Sequence, residues 1–325
     1  MIELKFPDEQ ARILPMYLAT EEYAARIAGD DDIFMMWRVA PSVIVGRHQV
    51  MQAEVNLPFC REHNIAVWRR KSGGGCVFSD PNNIMMSYIT RSDDVTGTFA
   101  RYTGAVAAML RGLGLNATDN ARNDVLIDGR KVSGNAFYHL PSGMSIVHGT
   151  MLFDTDFALM RGALTPSHAK IASKGVTSVA SRVTTLREHL DMSIEAFMAY
   201  VRATLCSGER VLTAEEVSEI EREILPTYLD EAFLRGKEPA CTLTRQARIE
   251  GAGEITANIN TNRGVIAGIT LSGDFFTLQP VETLTNRLIG KPLETSALRQ
   301  ALGGIDTRNF ILNLTTDKFI NLLTT

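Results

Sequence analysis

The feature that most limits the fold of this chain is the dipeptide Asp128-Gly129, which separates two apolar, strand-like segments. Asp-Gly in this setting is a strong signal for a two-residue β-hairpin, because both central positions of the preferred turn require positive φ. The hairpin places Lys131 in its second strand, close to the turn. Because side chains alternate along a strand, we expect Lys131 and Ser133 to share one face and Val132 to point to the other.

Helices and strands alternate through the first two-thirds of the chain, and the pattern changes near residue 240. We therefore expect two domains, over 1–240 and 241–325. Glu21 and Glu22 are expected in the first turn of a helix, where they complement its dipole. The predicted elements are helices over 18–28, 57–63, 98–113, 194–205, 214–225, 281–288, 296–302 and 317–323, strands over 33–39, 42–46, 66–70, 83–90, 145–153, 255–260 and 265–271, and a loop over 173–184.

Composition excludes several classes of protein. Hydrophobic residues (45%) and charged residues (22%) are in the range of soluble globular proteins. A net charge of -4 argues against a nucleic-acid partner, and no apolar run is long enough to cross a bilayer. The beginning of the sequence lacks a signal-peptide pattern, and the cysteines show no C-x-x-C spacing, so we expect no membrane partner, no zinc and a cytoplasmic setting. The cysteines are Cys60, Cys76, Cys206 and Cys241.

Arginine and glycine are concentrated in segment 69–80, which reads Arg-Arg-Lys-Ser-Gly-Gly-Gly-Cys-Val-Phe-Ser-Asp. Three consecutive glycines let the backbone approach a ligand closely and point several N–H groups the same way. The arginines before them can neutralise a phosphate or a carboxylate. A flexible turn between two strands is the alternative, but the arginines and the apolar residues after the glycines favour a ligand-binding loop.

Three further positions carry chemistry. Lys131 is followed by the small residues Ser133 and Gly134, and its ammonium could stabilise a carboxylate attacking phosphorus and the departing pyrophosphate; a solvated surface lysine is the alternative. Segment 174–184 has hydroxyls and N–H groups that could hold a nucleotide, or it is an exposed loop. His148 lies in an apolar strand, where a structural histidine is the default interpretation.

Together these segments resemble the lipoate–protein ligase A family of the biotin/lipoate ligase superfamily. The family's pattern R-R-x-S-G-G-G-x-V-F-H-D is matched by residues 69–80 at every specified position but one. The pattern R-N-D followed by R-K-V-S-G-x-A is matched by 122–124 and 130–136. H-G-T-L-L corresponds to 148–152, and K-G-x-T-S-V-x-S-R-V is matched by 174–183. The resemblance covers nearly the whole chain.

The resemblance implies an α+β fold: a mixed β-sheet catalytic domain of the biotin/lipoate ligase type, then a small α+β C-terminal accessory domain. Segments 236–239 and 273–276 resemble the accessory domain of bacterial ligases. The implied activity uses ATP, accompanied by Mg²⁺, to convert lipoate or octanoate to an acyl-adenylate. The acyl group then passes to a lysine on lipoyl domains of 2-oxoacid dehydrogenase acyltransferase subunits or on the glycine-cleavage H protein.

The resemblance also assigns roles to residues. Arg70 and Lys131 would be catalytic, Arg70 over the phosphate and Lys131 on both the acyl carbonyl and the phosphate. No residue is assigned to a metal. The residues expected to bind ATP and lipoyl-AMP are Arg70, Ser72, Gly73, Gly74, Gly75, Cys76, Val77, Phe78, Asn83, Asp124, Lys131, His148, Gly149, Lys174, Ser178, Val179, Ser181 and Val183.

Two positions depart from the family pattern. Ser79 replaces the usual His, which leaves the acyl preference open, and Cys76 replaces the usual Ala. Some relatives transfer octanoyl or lipoyl groups through a cysteine thioester without ATP, so a cysteine-dependent amidotransferase is one alternative. A non-catalytic lipoate-binding protein is another. The accessory domain and the intact motif around Lys131 favour the ATP-dependent ligase.

Overall fold

The computed structural model describes residues 1–92, 94–120, 123–165, 182–236 and 241–325. By their contacts these residues form two compact units. The large unit comprises Met1–Ile44, Glu54–Arg70 and Val77–Leu234, and the small unit comprises Val45–Ala53, Lys71–Cys76 and Arg235–Thr325. The division expected at residues 240 and 241 remains a prediction, because it adjoins residues 237–240, outside the described ranges.

The strands are numbered in chain order. They are β1 (Ile2–Lys5), β2 (Ile33–Trp37), β3 (Ser42–Val45), β4 (Ala66–Arg69), β5 (Val77–Ser79), β6 (Ile84–Arg91), β7 (Ala117–Asp119), β8 (Asp124–Ile127), β9 (Arg130–His139), β10 (Met144–Met151), β11 (Gly208–Val211), β12 (Leu243–Ile249), β13 (Gly253–Asn262) and β14 (Val265–Gly273).

The α-helices are numbered in the same way. They are α1 (Leu14–Ile27), α2 (Met51–Glu54), α3 (Leu57–Glu62), α4 (Val95–Gly112), α5 (Phe157–Ala163), α6 (Ile194–Leu205), α7 (Ala214–Glu223), α8 (Leu225–Leu229), α9 (Glu231–Arg235), α10 (Val281–Asn286), α11 (Thr295–Ala301) and α12 (Thr316–Thr324). Helix α1 begins at Leu14 with Pro15 at its start, so Glu21 lies well inside the helix and not in its first turn as expected. No helix in the described ranges is long and apolar enough to span a bilayer.

An eight-stranded sheet organises the large unit, in the order β11-β1-β2-β6-β10-β9-β8-β7. Strand β1 pairs parallel to β2 and to β11, whereas the other neighbours pair antiparallel. Helix α1 packs on β2, β6 and β10, and α4 packs on β7, β8 and β10. A second sheet, β4-β3-β5, carries the two arginines of segment 69–80 at one end. The mixed sheet with helices confirms the expected α+β class.

The hairpin at Asp128-Gly129 forms as expected, joining β8 to β9, with φ of 49° at Asp128 and 76° at Gly129. The predicted facing of its side chains is wrong. Val125 pairs with Ser133 and Leu126 with Lys131, so a bulge leaves Val132 without a cross-strand partner. Successive residues of β8 face opposite ways, and therefore Lys131 and Ser133 lie on opposite faces of the sheet.

The small unit is built on the antiparallel sheet β12-β13-β14. The turn expected near residues 262–264 joins β13 to β14, with positive φ at Arg263 and Gly264. Apolar residues of the sheet, such as Ile255 and Ile259, pack with α10 and α12 through Leu284 and Phe319. The strand β12 was not expected, because its sequence, Leu-Thr-Arg-Gln-Ala-Arg-Ile, carries two arginines.

Candidate functional site

Lys131 forms an ion pair across the hairpin. Its Nζ lies 2.6 Å from Oδ1 of Asp124, and the two side chains are 37% and 23% exposed. Gly134 is the cross-strand neighbour of Asp124. A Cβ on Gly134 would lie 2.3 Å from Nζ of Lys131. The small residue expected beside Lys131 therefore makes room for the lysine's own side chain, which crosses over Gly134 to reach the carboxylate.

The turn before β8 holds Asp124 in place. Oδ1 of Asn120 accepts hydrogen bonds from the backbone N–H groups of Asn123 and Asp124, each at 3.0 Å. Asn123 and Asn135 bond reciprocally: Nδ2 of Asn123 donates to the carbonyl of Asn135, and Nδ2 of Asn135 donates to that of Asn123. These contacts fix the backbone that carries the acidic partner of Lys131.

The backbone of Lys131 is bonded on the edge that faces away from β8. Its N–H donates to the carbonyl of Arg182 at 2.7 Å, and its carbonyl accepts from Thr184 N–H at 2.9 Å. This parallel bridge places Val183, an expected site residue, beside Lys131. The other expected residues of that segment lie outside the described residues; they are Lys174, Ser178, Val179 and Ser181.

His148 lies on the same face of the large sheet as Lys131. It is the cross-strand neighbour of Ala136 on β9 and of Ser87 on β6, and Ala136 lies two residues from Gly134. This is the face that α1 covers, with Ile33, Met35 and Met85 in the same apolar cluster. We call it the α1 face.

A buried polar cluster lies at His148. Its Nδ1 is 2.7 Å from Oε2 of Glu21, which α1 delivers to the sheet. Oε1 of Glu21 accepts from the Ser87 hydroxyl at 2.5 Å, and that hydroxyl accepts from Nε1 of Trp37 at 3.1 Å. Glu21 was not among the expected site residues, although its helical spacing from the buried Leu14, Leu18 and Ala25 was the available signal. Burial of Glu21 requires these partners.

Gly149 lies on the opposite face, the one covered by α4. A Cβ there would be 1.9 Å from Oδ1 of Asn135 and 2.7 Å from the carbonyl oxygen of Gly134. Its neighbour across the strand pair is Asn135 itself. The absence of a side chain at Gly149 therefore accommodates Asn135, so the residue that the family pattern assigns to a ligand has a packing role here.

The glycine loop belongs to the small unit by its contacts. A Cβ on Gly73 would lie 2.2 Å from the carbonyl oxygen of Phe275, and Gly74, at φ 87°, donates its N–H to the same oxygen at 3.4 Å. Ser72 is buried, whereas Cys76 is partly exposed and is not in a disulfide. The close approach that Gly73 permits here is to the backbone of Phe275, and the expected approach to a ligand remains a prediction.

The residues that flank the loop are placed by the β4-β3-β5 sheet. Arg70 is buried and donates from Nη1 to the carbonyl of Ile44 at 2.9 Å. Val77 is opposite Ile44 and packs on the apolar cluster under α1. Phe78 is opposite Val43 and is fully buried on the other side of the strand. Only Val77 of this pair faces the α1 cluster.

Asn83 ends the turn that precedes β6 and is fully buried. Its Oδ1 accepts from the Thr155 hydroxyl at 2.6 Å and from Phe153 N–H at 3.3 Å. Within the described ranges, no three His, Cys, Asp or Glu side chains are grouped as a metal site would require.

The large unit therefore brings Lys131, Asp124 and Val183 together and places His148 on the same face. A partly exposed ammonium, oriented by a carboxylate and carried on a backbone that is bonded to Arg182 and Thr184, can stabilise negative charge that develops on a ligand's oxygen. Because Lys131 keeps over a third of its side chain exposed, it remains accessible to such a ligand.

The chain is similar to known proteins over nearly its whole length. The family described as Lipoyl protein ligase A/B catalytic domain matches residues 15–206, and the family described as Bacterial lipoate protein ligase C-terminus matches residues 238–323. The lipoate-protein ligase LplJ of Bacillus subtilis is 32% identical, with 94% of this chain and 95% of that relative aligned.

Solved structures with the same fold include two ligases. A bipartite lipoate protein ligase from Thermoplasma acidophilum, described with its E2 lipoyl domain, is 29% identical with a TM-score of 0.63, covering 74% of this chain and 98% of that one. A lipoate-protein ligase A bound with ATP is 28% identical with a TM-score of 0.61, covering 72% of this chain and 98% of that one.

Proposed function

The chain belongs to the lipoyl protein ligase A/B family and is an enzyme of the lipoate–protein ligase class, and from this premise we propose how its residues carry out the reaction. An oxygen of the lipoate or octanoate carboxylate attacks the α-phosphorus of ATP. The bond from that phosphorus to the bridging oxygen breaks, and pyrophosphate leaves with the electron pair. The product is an acyl-adenylate. A neutral lysine amine of the acceptor then attacks the acyl carbon, AMP leaves, and the nitrogen loses a proton to solvent.

Lys131 is the residue on which this proposal depends. Its ammonium, 2.6 Å from Asp124 and held over Gly134, would contact the carbonyl oxygen and the phosphate as charge develops there. Fixed donors aimed at developing charge are usually the largest single contribution to catalysis. The ion pair with Asp124 orients the ammonium before substrate arrives.

Arg70 and the glycine loop would hold the phosphates. Three consecutive glycines let the backbone approach an anion closely, and a guanidinium supplies charge-assisted hydrogen bonds. The similarity to the lipoate-protein ligase A structure that is bound with ATP supports this assignment. Mg²⁺ would arrive on the nucleotide, since Mg²⁺ in such sites is bound largely by substrate phosphates and water.

The acceptors would be lipoyl domains. The Thermoplasma ligase is described with its E2 lipoyl domain, which supports this class of partner. We propose the acyltransferase subunits of 2-oxoacid dehydrogenases and the glycine-cleavage H protein as acceptors. We also propose a cytoplasmic location, which the lack of a disulfide among the described cysteines supports.

The experiment is a comparison of Lys131→Ala with Arg130→Ala in lipoate-dependent pyrophosphate release. Arg130 is the adjacent cation, 35% exposed and paired with Glu188 at 2.9 Å, so it controls for loss of one positive charge at the hairpin. Lys131→Ala should abolish lipoyl-AMP formation and Arg130→Ala should retain it. Undiminished pyrophosphate release by Lys131→Ala would show that the proposed role of Lys131 is wrong.

A further inference from the structure

We propose that Ser79, which the family resemblance leaves outside the ligand site, donates a hydrogen bond to an oxygen of the substrates, acting beside Asn83. The oxygen belongs to the carboxylate of the acid or to a phosphate of the nucleotide. This inference rests on the proposed function, and it names an additional specificity-determining residue of the same site.

The Ser79 hydroxyl is a buried donor that the protein leaves unused. The residue is 0% exposed, and its Oγ has no hydrogen-bond partner among the residues that the structure describes. Asn83 is also 0% exposed, and its Nδ2 likewise has no hydrogen-bond partner within those residues. Buried polar side chains are nearly always hydrogen-bonded, so two unpaired donors in one short segment require an explanation.

The orientation of the Asn83 amide is fixed by its own contacts. Its Oδ1 accepts from the Thr155 hydroxyl and from Phe153 N–H, both of which are donors. Reversing the amide would set its NH₂ group against those donors, and therefore the NH₂ group is the end left for a ligand. Asn83 N–H also bonds to the Asp80 carbonyl at 3.0 Å, which closes a tight turn between the two unpaired donors.

Strand β5 gives the direction of the Ser79 side chain. Ser79 and Val77 are two residues apart and share one face, on which Ser42 and Ile44 are their cross-strand neighbours. Val77 packs on the apolar cluster under α1, so Ser79 lies at the edge of that apolar side of the strand. A ligand with an apolar chain and a terminal oxygen-bearing group suits such a position.

The carboxylate of Asp80, which lies between Ser79 and Asn83 in the chain, already accepts hydrogen bonds from the backbone. Asp80 Oδ1 accepts from Asn82 N–H at 2.9 Å, and Oδ2 accepts from Asp156 N–H at 3.1 Å. Asp80 therefore satisfies its backbone neighbours and leaves Ser79 and Asn83 as donors. Two donors around one turn match the oxygens of a carboxylate or a phosphate, where charge strengthens each bond.

The test is Ser79→Ala, with separate measurements of KM for lipoate and for ATP in pyrophosphate release, and of Tm. We expect one KM to rise at least about tenfold, the cost of losing a hydrogen bond to a charged group. The Tm should stay level or rise, because the variant no longer buries an unpaired hydroxyl. A purely structural serine would instead lower Tm and leave both KM values unchanged.

Ser42→Ala is the matched control. Ser42 is directly opposite Ser79 and equally buried, but its hydroxyl donates to the Ala40 carbonyl at 2.8 Å. We expect Ser42→Ala to lower Tm with KM unaffected. Ser79→Cys keeps the volume with a much weaker donor, so a KM like that of Ser79→Ala assigns the effect to the hydrogen bond.

The separate KM measurements for lipoate and for ATP identify the substrate oxygen that accepts the hydrogen bond from Ser79. A rise in KM for lipoate alone assigns the bond to the carboxylate, and a rise for ATP alone assigns it to phosphate. Unchanged KM values for both substrates in Ser79→Ala would overturn the inference while leaving the proposed function intact. A wild-type protein that forms no adenylate from any acid would instead refute the proposed function.

Discussion

We predict that Gly134→Ala displaces the Lys131 ammonium and lowers the reaction rate, while the stability of the fold hardly changes. The added Cβ would lie 2.3 Å from Nζ and 2.5 Å from Cε of Lys131, whereas ordinary contacts begin near 3.4 Å. The end of a flexible lysine can move aside, so the ammonium retreats by about 1 Å and the backbone stays in place. The ion pair with Asp124 is then broken or lengthened.

The expected cost in stability is small. A partly exposed ion pair contributes about 0–1 kcal/mol. Replacing glycine by alanine within a strand returns about 0.5–1 kcal/mol by reducing the freedom of the unfolded chain. These contributions nearly cancel, and Tm should move by no more than about 4 °C for a unit of this size. Catalysis is more sensitive, because a misplacement of about 1 Å at the reacting groups costs roughly a hundredfold in rate.

The assay is lipoate-dependent pyrophosphate release under saturating substrates, together with thermal unfolding followed by circular dichroism. Gly268→Ala is the control, because Gly268 is a strand glycine whose Cβ would meet nothing closer than 4.0 Å. We expect kcat of Gly134→Ala to fall about a hundredfold with a nearly native Tm, and Gly268→Ala to keep its kcat. A native kcat in Gly134→Ala would refute the requirement for the ammonium above Gly134.

Other consequences can be measured directly. Gly149→Ala should lower the free energy of unfolding by about 1–3 kcal/mol in urea titrations, because its Cβ would meet Asn135 and the Gly134 carbonyl, whereas Gly104→Ala, with free space around its Cβ, should not. His148→Ala should cost about 3 kcal/mol by leaving Oε2 of the buried Glu21 without its partner, and Glu21→Gln should recover part of that loss in the double variant. Burial raises the pKa of Tyr102, so stability present below pH 10 should be lost as pH rises, by about 1.4 kcal/mol per unit; Tyr102→Phe should show a shallower alkaline loss in urea titrations from pH 9 to 11. Cys76→Ser should keep ATP-dependent transfer to a lipoyl domain, and its loss, with ATP-independent transfer by the wild type, would favour the amidotransferase.

The sequence was informative where local chemistry decides structure. Asp128-Gly129 predicted the hairpin because the turn demands positive φ at both residues. The small residues after Lys131 indicated a required space. The bulge at Val132 was not predictable, because it depends on how β9 pairs with β8 and with Val183, which is more than 50 residues away in the chain. One unpaired residue reversed the predicted facing of Lys131 relative to Ser133.

Long-range partners account for most of what the sequence did not reveal. Glu21 meets His148 across 127 residues, and only the packing of α1 on the sheet makes that contact. Gly149 matches a family pattern, yet its cross-strand neighbour explains its lack of a side chain. A sequence motif identifies the residue at a position. Whether the space beside a glycine is filled by a ligand or by a neighbouring side chain depends on the strands that pack around it.

The position of β1 between β2 and β11 has a consequence for biosynthesis. On the ribosome β1 and β2 are made long before β11, yet Ile2 pairs with Gly208 and Lys5 with Val211. Until that late segment emerges, one edge of β1 has unpaired N–H and C=O groups, and buried Glu3 has not met Arg202. Such non-local pairing is slow to form. The large sheet is therefore completed only near the end of its own translation, and during that interval β1 is the edge most open to a chaperone or to a neighbouring nascent chain.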